Sequence, residues 1–305
     1  MRSKLIITAG VIVSTLLLYS GIGICQEKVS GSEWTQIIEQ MGNKGKINWS
    51  EGYVEATGIG TPPDRYIGKP QARPMALRAA RVDAYRNLLE ATKGVRVDSA
   101  TVVKDYTVES DVINVQVEGL VKGAKVVNQE YMSDGTVEVT VRMPIPGGFS
   151  KIIIPIVIEK KPEAAPPASL PPAVAPPAAP TAPAPAAPAP SAVVYTGMVV
   201  DARGLQARPA MSPKVIDESG KEVYGSMNVD REYAVQQGMS GYARDLTAAQ
   251  SNPRVTNNPV SVKGIKTEGP GKSDIVISNA DAEKIRGASD NLTFLKKCRV
   301  MIVLD

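Results

Sequence analysis

The sequence predicts two folded modules of different class, an α+β module and then an α/β module, with an extended linker between them. Three observations predict it. Residues 72–94 form an alanine-rich amphipathic helix that feeds a run of strands, as in a helix laid on a mostly antiparallel sheet. Pro162–Pro190 is proline and alanine apart from Glu163, Ser169, Leu170, Val174 and Thr181. It lacks the backbone donors and the apolar mass to pack. Beyond it, strands mix with helices to the C terminus, the pattern of a mixed sheet in an α/β unit. The divisions are a signal peptide at 1–25, the α+β module with a leader helix at 26–161, the linker at 162–190 and the α/β module at 191–305.

Arg2 and Lys4 precede an uncharged apolar run, Leu5 to Leu18, and small residues at Gly21 and Gly23. This reads as a secretory signal removed on export. Leu5–Cys25 carries no charge, so an uncut segment would anchor the chain to a membrane instead. Cys25 admits a third reading, lipidation, although Ile24 stands where such a signal wants a small residue.

Trp34, Ile37, Ile38 and Met41 suggest a short leader helix over 32–42, and residues 47–59 a strand before the loop holding Pro62, Pro63 and Gly68. In the long helix, Leu77, Ala80, Ala84, Leu88 and Ala91 share one stripe, and the alanines let it sit close to a sheet. Pro74 suits its first turn, and Gly94 can end it in the left-handed conformation. Val112–Glu118 alternates, predicting a strand with Ile113, Val115 and Val117 inward. Val137, Val139 and Val141 alternate again after Asp134-Gly135, a tight-turn signal for a hairpin. Ile152–Ile158 is too short to span a bilayer, and Pro155 places it at a sheet edge or packed on the first module. An exposed partner-binding strip is the alternative there.

In the second module, Val193–Asp201 and Val300–Leu304 read as buried strands, and Val215–Tyr224 as a hairpin about Ser219-Gly220. Residues 231–250 are helical in pattern, weakened by Gly238 and Gly241. Pro259–Lys266 and Ser273–Ser278 suggest two further strands. Asn279 or Asp281 can cap a last helix over 281–297, with Gly287 inside it.

Composition removes several chemistries. The chain has 305 residues and no histidine, which excludes Ser-His-Asp and Cys-His catalysis and histidine metal sites. No D-x-D-x-D-G calcium loop and no S-x-x-K motif is present. Neither a catalytic, a cofactor nor a metal constellation is expected. The net charge of +4 falls to +2 without Arg2 and Lys4, no basic cluster stands out, and nucleic acid is not an expected partner. Loss of Cys25 leaves Cys298 alone, read as a buried structural thiol.

The blocks A-L-R-A-A-R-V-D-A-Y-R-N-L-L-E, G-V-R-V-D-S and V-E-G-L-V-K-G-A resemble the LPP20 family of bacterial envelope proteins over roughly residues 46–146. Flagellar assembly proteins P and T carry related domains, and the second module here resembles the later domains of the T protein in its position. The family has no catalytic motif, and many members are lipoproteins. The resemblance implies envelope or flagellar basal-body proteins as partners, with homo-oligomers in a ring as one arrangement.

Three candidate sites follow. Asp201, Arg203 and Arg208 lie after a strand and suit the grip of a carboxylate or phosphate, or else only a charged loop closure. Asp83, Arg86, Asn87 and Glu90 form the outer stripe of the helix, a solvated face or an interface between subunits. Gly264–Ser273 looks like a phosphate loop, but Lys266 stands where that motif needs glycine, so a hairpin loop is expected. The expected function is a non-enzymatic periplasmic protein, outer-membrane associated, that scaffolds a surface structure. The alternative is a binding module for an anionic envelope component, peptidoglycan or lipid headgroup. The linker is read as a periplasmic spacer between two anchored modules, or as a passive linker.

Overall fold

A computed structural model describes residues 35–159, 194–287 and 291–305. The expected signal, Cys25, Trp34 and the linker lie outside the described residues.

The first module begins with three antiparallel strands, β1 (Ile38–Met41), β2 (Gly45–Asn48) and β3 (Tyr53–Gly60). Within the described part of the expected leader helix over 32–42, Ile38–Met41 is therefore a strand. Its apolar positions fit either period, and pairing with β2 decides between them. The strand expected over 47–59 is divided by a turn at Gly52, whose φ of +71° suits glycine. The helix α1 (Ala72–Lys93) follows, then α2 (Val103–Glu109), α3 (Asp111–Lys122), β4 (Lys125–Tyr131), β5 (Val137–Pro144) and α4 (Ser150–Glu159). The sheet order is β1-β2-β3-β5-β4, with α1 laid across β3 and β5.

That contact is close because both sides are small. Ala76, Ala80, Ala84, Leu88 and Ala91 are buried, whereas Leu77 is only half-buried. They face Gly58 and Gly60 of β3, where an added β-carbon would fall 2.0 Å from the Ala84 amide nitrogen and 2.1 Å from the Ala76 carbonyl oxygen. Gly94 closes α1 in a right-handed conformation, φ −82°, and not the expected left-handed one. The β4–β5 hairpin turns at Gly135 with φ +87°, and Val137, Val139 and Val141 are fully buried, as the alternation predicts.

Two expected strands are helices. Residues 112–118 lie in α3, whose buried residues are Val117 and Val121, while Val112 and Val115 are exposed. Ile113, Val117 and Leu120 also fit a helical stripe, and Ser110 Oγ accepts the Ile113 amide as N-cap at 3.5 Å. Ile152–Ile158 lies in α4. An unbroken apolar run carries no period, and here the rest of the fold supplied the choice.

In the second module the strand order is β8-β7-β11-β10-β6-β12-β9. These strands are β6 (Gly197–Asp201), β7 (Val215–Asp217), β8 (Glu222–Tyr224), β9 (Gly241–Ala243), β10 (Pro259–Glu268), β11 (Asp274–Ile277) and β12 (Val300–Val303). The sheet is mixed: β7/β8 and β10/β11 pair antiparallel, the other neighbours parallel. The helical pattern at 231–250 resolves into α5 (Arg231–Gln237), β9 and α6 (Leu246–Gln250), because Gly238 at φ +79° ends the first helix. The last expected helix is two, α7 (Asn279–Arg286) and α8 (Asn291–Lys296), and Ser278 caps α7 by accepting the Asp281 amide.

The modules are not held apart. One cluster of buried apolar residues runs through both, from Ile37 to Leu304. Ile154 of α4 packs with Ala234, Met239 and Cys298 of the second module. The spacer reading of the linker is corrected accordingly: whatever path residues 162–190 take, the modules it joins share a core.

Candidate functional site at the module seam

The seam is built on the loop after α1, residues 95–102. Its main chain accepts the amides of Met211 and Ser212 at Arg96 and Val97, at 3.0 and 2.7 Å. The Ser99 carbonyl accepts the Gly271 amide at 2.6 Å, and Ser99 Oγ donates to Asp274 at 2.7 Å. Gly271 is required by this approach, since a β-carbon there would fall 2.8 Å from the Ser99 carbonyl oxygen. The phosphate-loop look of Gly264–Ser273 thus has a structural cause: a hairpin tip shaped to receive the first module.

A charge cluster closes the same seam. Arg96 donates to the Pro209 carbonyl at 2.7 Å and to Glu39 at 3.3 Å. Arg208 also pairs with Glu39, and Trp49 Nε1 donates to it at 3.1 Å. Burial works against the Glu39 carboxylate, but Arg208 and Arg96 more than offset it, and its pKa falls below the ordinary value. Asp274 goes the other way, raised because burial outweighs its hydrogen bond from Ser99. Trp49 and Tyr242 meet edge to face, ring centroids 5.9 Å apart.

Behind that aromatic pair is a cleft of about 100 Å³, lined by Trp49, Ile154, Met211, Met239, Tyr242 and Arg254 among others. Arg254 is largely buried and has main-chain partners: the carbonyls of Gln237, Gly238 (3.1 Å) and Cys298 (2.9 Å). Desolvation lowers its pKa. The Cys298 thiol is buried and free, and desolvation pushes its pKa up to about 11, which favours the protonated thiol. Tyr242 is pushed up to about 12 by burial, and its hydroxyl bonds the Ala210 main chain.

The expected Asp201–Arg203–Arg208 pocket does not assemble as one. Arg203 forms a two-pronged pair with Asp201 at 2.8 and 2.7 Å, whereas Arg208 turns to Glu39. On α1, Asp83 and Asn87 are not simply solvated. Asp83 accepts from Lys44 at 3.1 Å and from the Ile59 amide at 3.0 Å, and Asn87 donates to the Thr57 carbonyl at 2.8 Å. Beyond Ala56, where β2 ends, these two side chains take over the bonding edge of β3. Arg86 and Glu90 remain exposed. Glu39, Arg96, Ser99, Asp274, Trp49, Tyr242 and Arg254 were missed by sequence reasoning. Their partners lie far away in the chain, 169 positions for Glu39 and Arg208, and no local spacing signals that.

Among the described residues, no group of His, Cys, Asp and Glu side chains could hold a metal, and no helix is long and apolar enough to cross a membrane. Fold and seam together define the class: an α+β unit and an α/β unit fused into one body through a buried junction. Residues 197–305 match the family described as the second domain of Treponema pallidum Tp0624, so the C-terminal module is similar to that domain. No curated protein matches the chain.

Proposed function

We propose that this chain is a non-enzymatic protein of the bacterial envelope, exported to the periplasm and outer-membrane associated, that scaffolds or assembles a cell-surface structure. The observation that carries this reading is the seam. Glu39, Arg96 and Arg208 are engaged in fixing one module on the other, as a part that must hold a set geometry requires. The basic start and apolar run at residues 1–25 support export, and the LPP20-like blocks support a flagellar basal-body accessory ring as the specific case. Envelope fractionation with imaging of a deletion strain tests it. Loss of a surface structure is the expected result, and an intact envelope with intact motility would retire the scaffold reading.

The cleft favours a second reading, a binding module for an anionic envelope component. A largely buried guanidinium whose hydrogen bonds go to carbonyls retains positive charge for an anion. Arg254→Gln would then abolish binding of soluble peptidoglycan fragments or of anionic vesicles and leave assembly intact. Equal binding by both proteins removes this reading.

A further inference from the structure

We propose that β4 is a self-association edge, where two copies pair antiparallel about a two-fold axis with Lys125 of each opposite Glu130 of the other. β4 is the terminal strand of the first sheet, and its outer side has no strand neighbour among the described residues. Val126, Val127 and Tyr131 on it are 39, 45 and 48% exposed. A seven-residue edge with exposed apolar side chains is a template for pairing.

The charges on this hairpin say what covers it. Residues directly opposite on paired strands share a face. Lys125 stands opposite Arg142, and Glu130 opposite Glu138, so the hairpin holds two like-charge pairs, each unfavourable in a single copy. Arg142 is relieved by Glu55 at 2.7 Å. Among the described residues Lys125, Glu130 and Glu138 form no salt bridge.

Residues five apart on a regular strand face opposite sides. Here the bulge between Val126 and Asn128 inserts one residue, which returns Lys125 and Glu130 to the same face. That face is therefore positive at one end and negative at the other. An antiparallel second copy reverses the order. Lys125 meets Glu130, Val126 meets Gln129, and Val127 meets Asn128, all in one register. Both like-charge pairs gain an opposite charge, and the exposed valines are covered. The contact is the same patch on each copy, so it closes as a dimer and does not propagate. It joins two five-stranded sheets into one. The Gln129 amide, now bonded by the Asn128 side chain at 2.9 Å, exchanges that partner on pairing.

This inference stands apart from the envelope reading, because it is tested on purified protein. Sedimentation equilibrium of the processed chain should show a monomer–dimer equilibrium that weakens with salt. Glu130→Lys or Lys125→Glu alone should weaken it by roughly tenfold or more. A mixture of these two variants should form a mixed dimer, and the double exchange K125E/E130K should pair with itself again. Both positions are exposed, and each reversal places opposite charges across the hairpin, so melting of the dilute single variants no lower than that of the parent separates lost pairing from lost folding. A monomer at every concentration, or a dimer indifferent to either reversal, overturns the proposal.

Discussion

Gly58 of β3 lies so close to Ala84 of α1 that a β-carbon on the glycine would fall 2.0 Å from the Ala84 amide nitrogen. The contact is backbone against backbone, so no side chain can move aside. Gly58→Ala should push α1 off the sheet and cost about 3 kcal/mol or more, at or above the upper range for overpacking. Urea denaturation of the processed chain checks it. A loss under about 1 kcal/mol would mean that the helix can shift at little cost.

On the same helix, the two faces should respond differently. Ala84→Glu places an unpaired charge in the buried stripe and costs several kcal/mol. Asp83→Ala removes the acceptor of the Ile59 amide and costs about 0.5–1.5 kcal/mol, whereas Glu90→Ala changes an exposed position and costs a few tenths. Thermal melts rank the three, and equal effects of Asp83→Ala and Glu90→Ala would contradict the edge-holding role of Asp83.

Acid should loosen the seam through Glu39. Its folded pKa lies below the ordinary value of 4.5, so the unfolded chain binds its proton first as pH falls. The stabilisation is complete above 4.5 and is lost as pH drops through the lower folded value. Glu39→Gln should therefore lower stability at neutral pH and flatten its decline on the acid side. Melts between about pH 3 and 7 read this, and parallel curves for both proteins would remove Glu39 from the acid response.

Arg96→Ala leaves the Glu39 carboxylate with Arg208 as its cationic partner and Trp49 as its other donor, and leaves the Pro209 carbonyl without the Arg96 donor. It should cost roughly 2–3 kcal/mol, at or below the low end for a broken buried pair, because Glu39 keeps Arg208 and Trp49. Unfolding should stay a single transition. Two separate transitions in the parent chain would mean that the modules do not share a core.

Cleavage within Pro162–Pro190 by elastase, which cuts after alanine, should yield two pieces that elute together at neutral pH. The core running from Ile37 to Leu304 and the Ser99–Gly271 contact hold them without the covalent link. Separate elution of folded pieces would restore the spacer reading.

Elements were legible in the sequence wherever local chemistry had one solution. Asp134-Gly135 between alternating valines specified a hairpin, and an alanine stripe on a long helix specified its buried face. The leader strand, α3 and α4 were not legible, because short or unbroken apolar runs satisfy both periods until neighbouring segments supply pairing or packing. Of the site, Asp201–Arg203 could be read because the residues are two apart. Glu39, Arg96 and Arg208 could not, since their contact exists only after two modules meet.

The sequence by itself therefore determined the two module classes, the compositional break between them, the basic start with its uncharged apolar run, and the lack of histidine. All of these depend on composition or on spacing within a few turns of chain. Tertiary structure alone decided that the modules form one body, that a glycine-rich loop is a docking surface, and that β4 has a charge-segregated outer edge with no strand partner among the described residues. Those properties arise from pairings across long loops, whose closure entropy is met only by the packed whole.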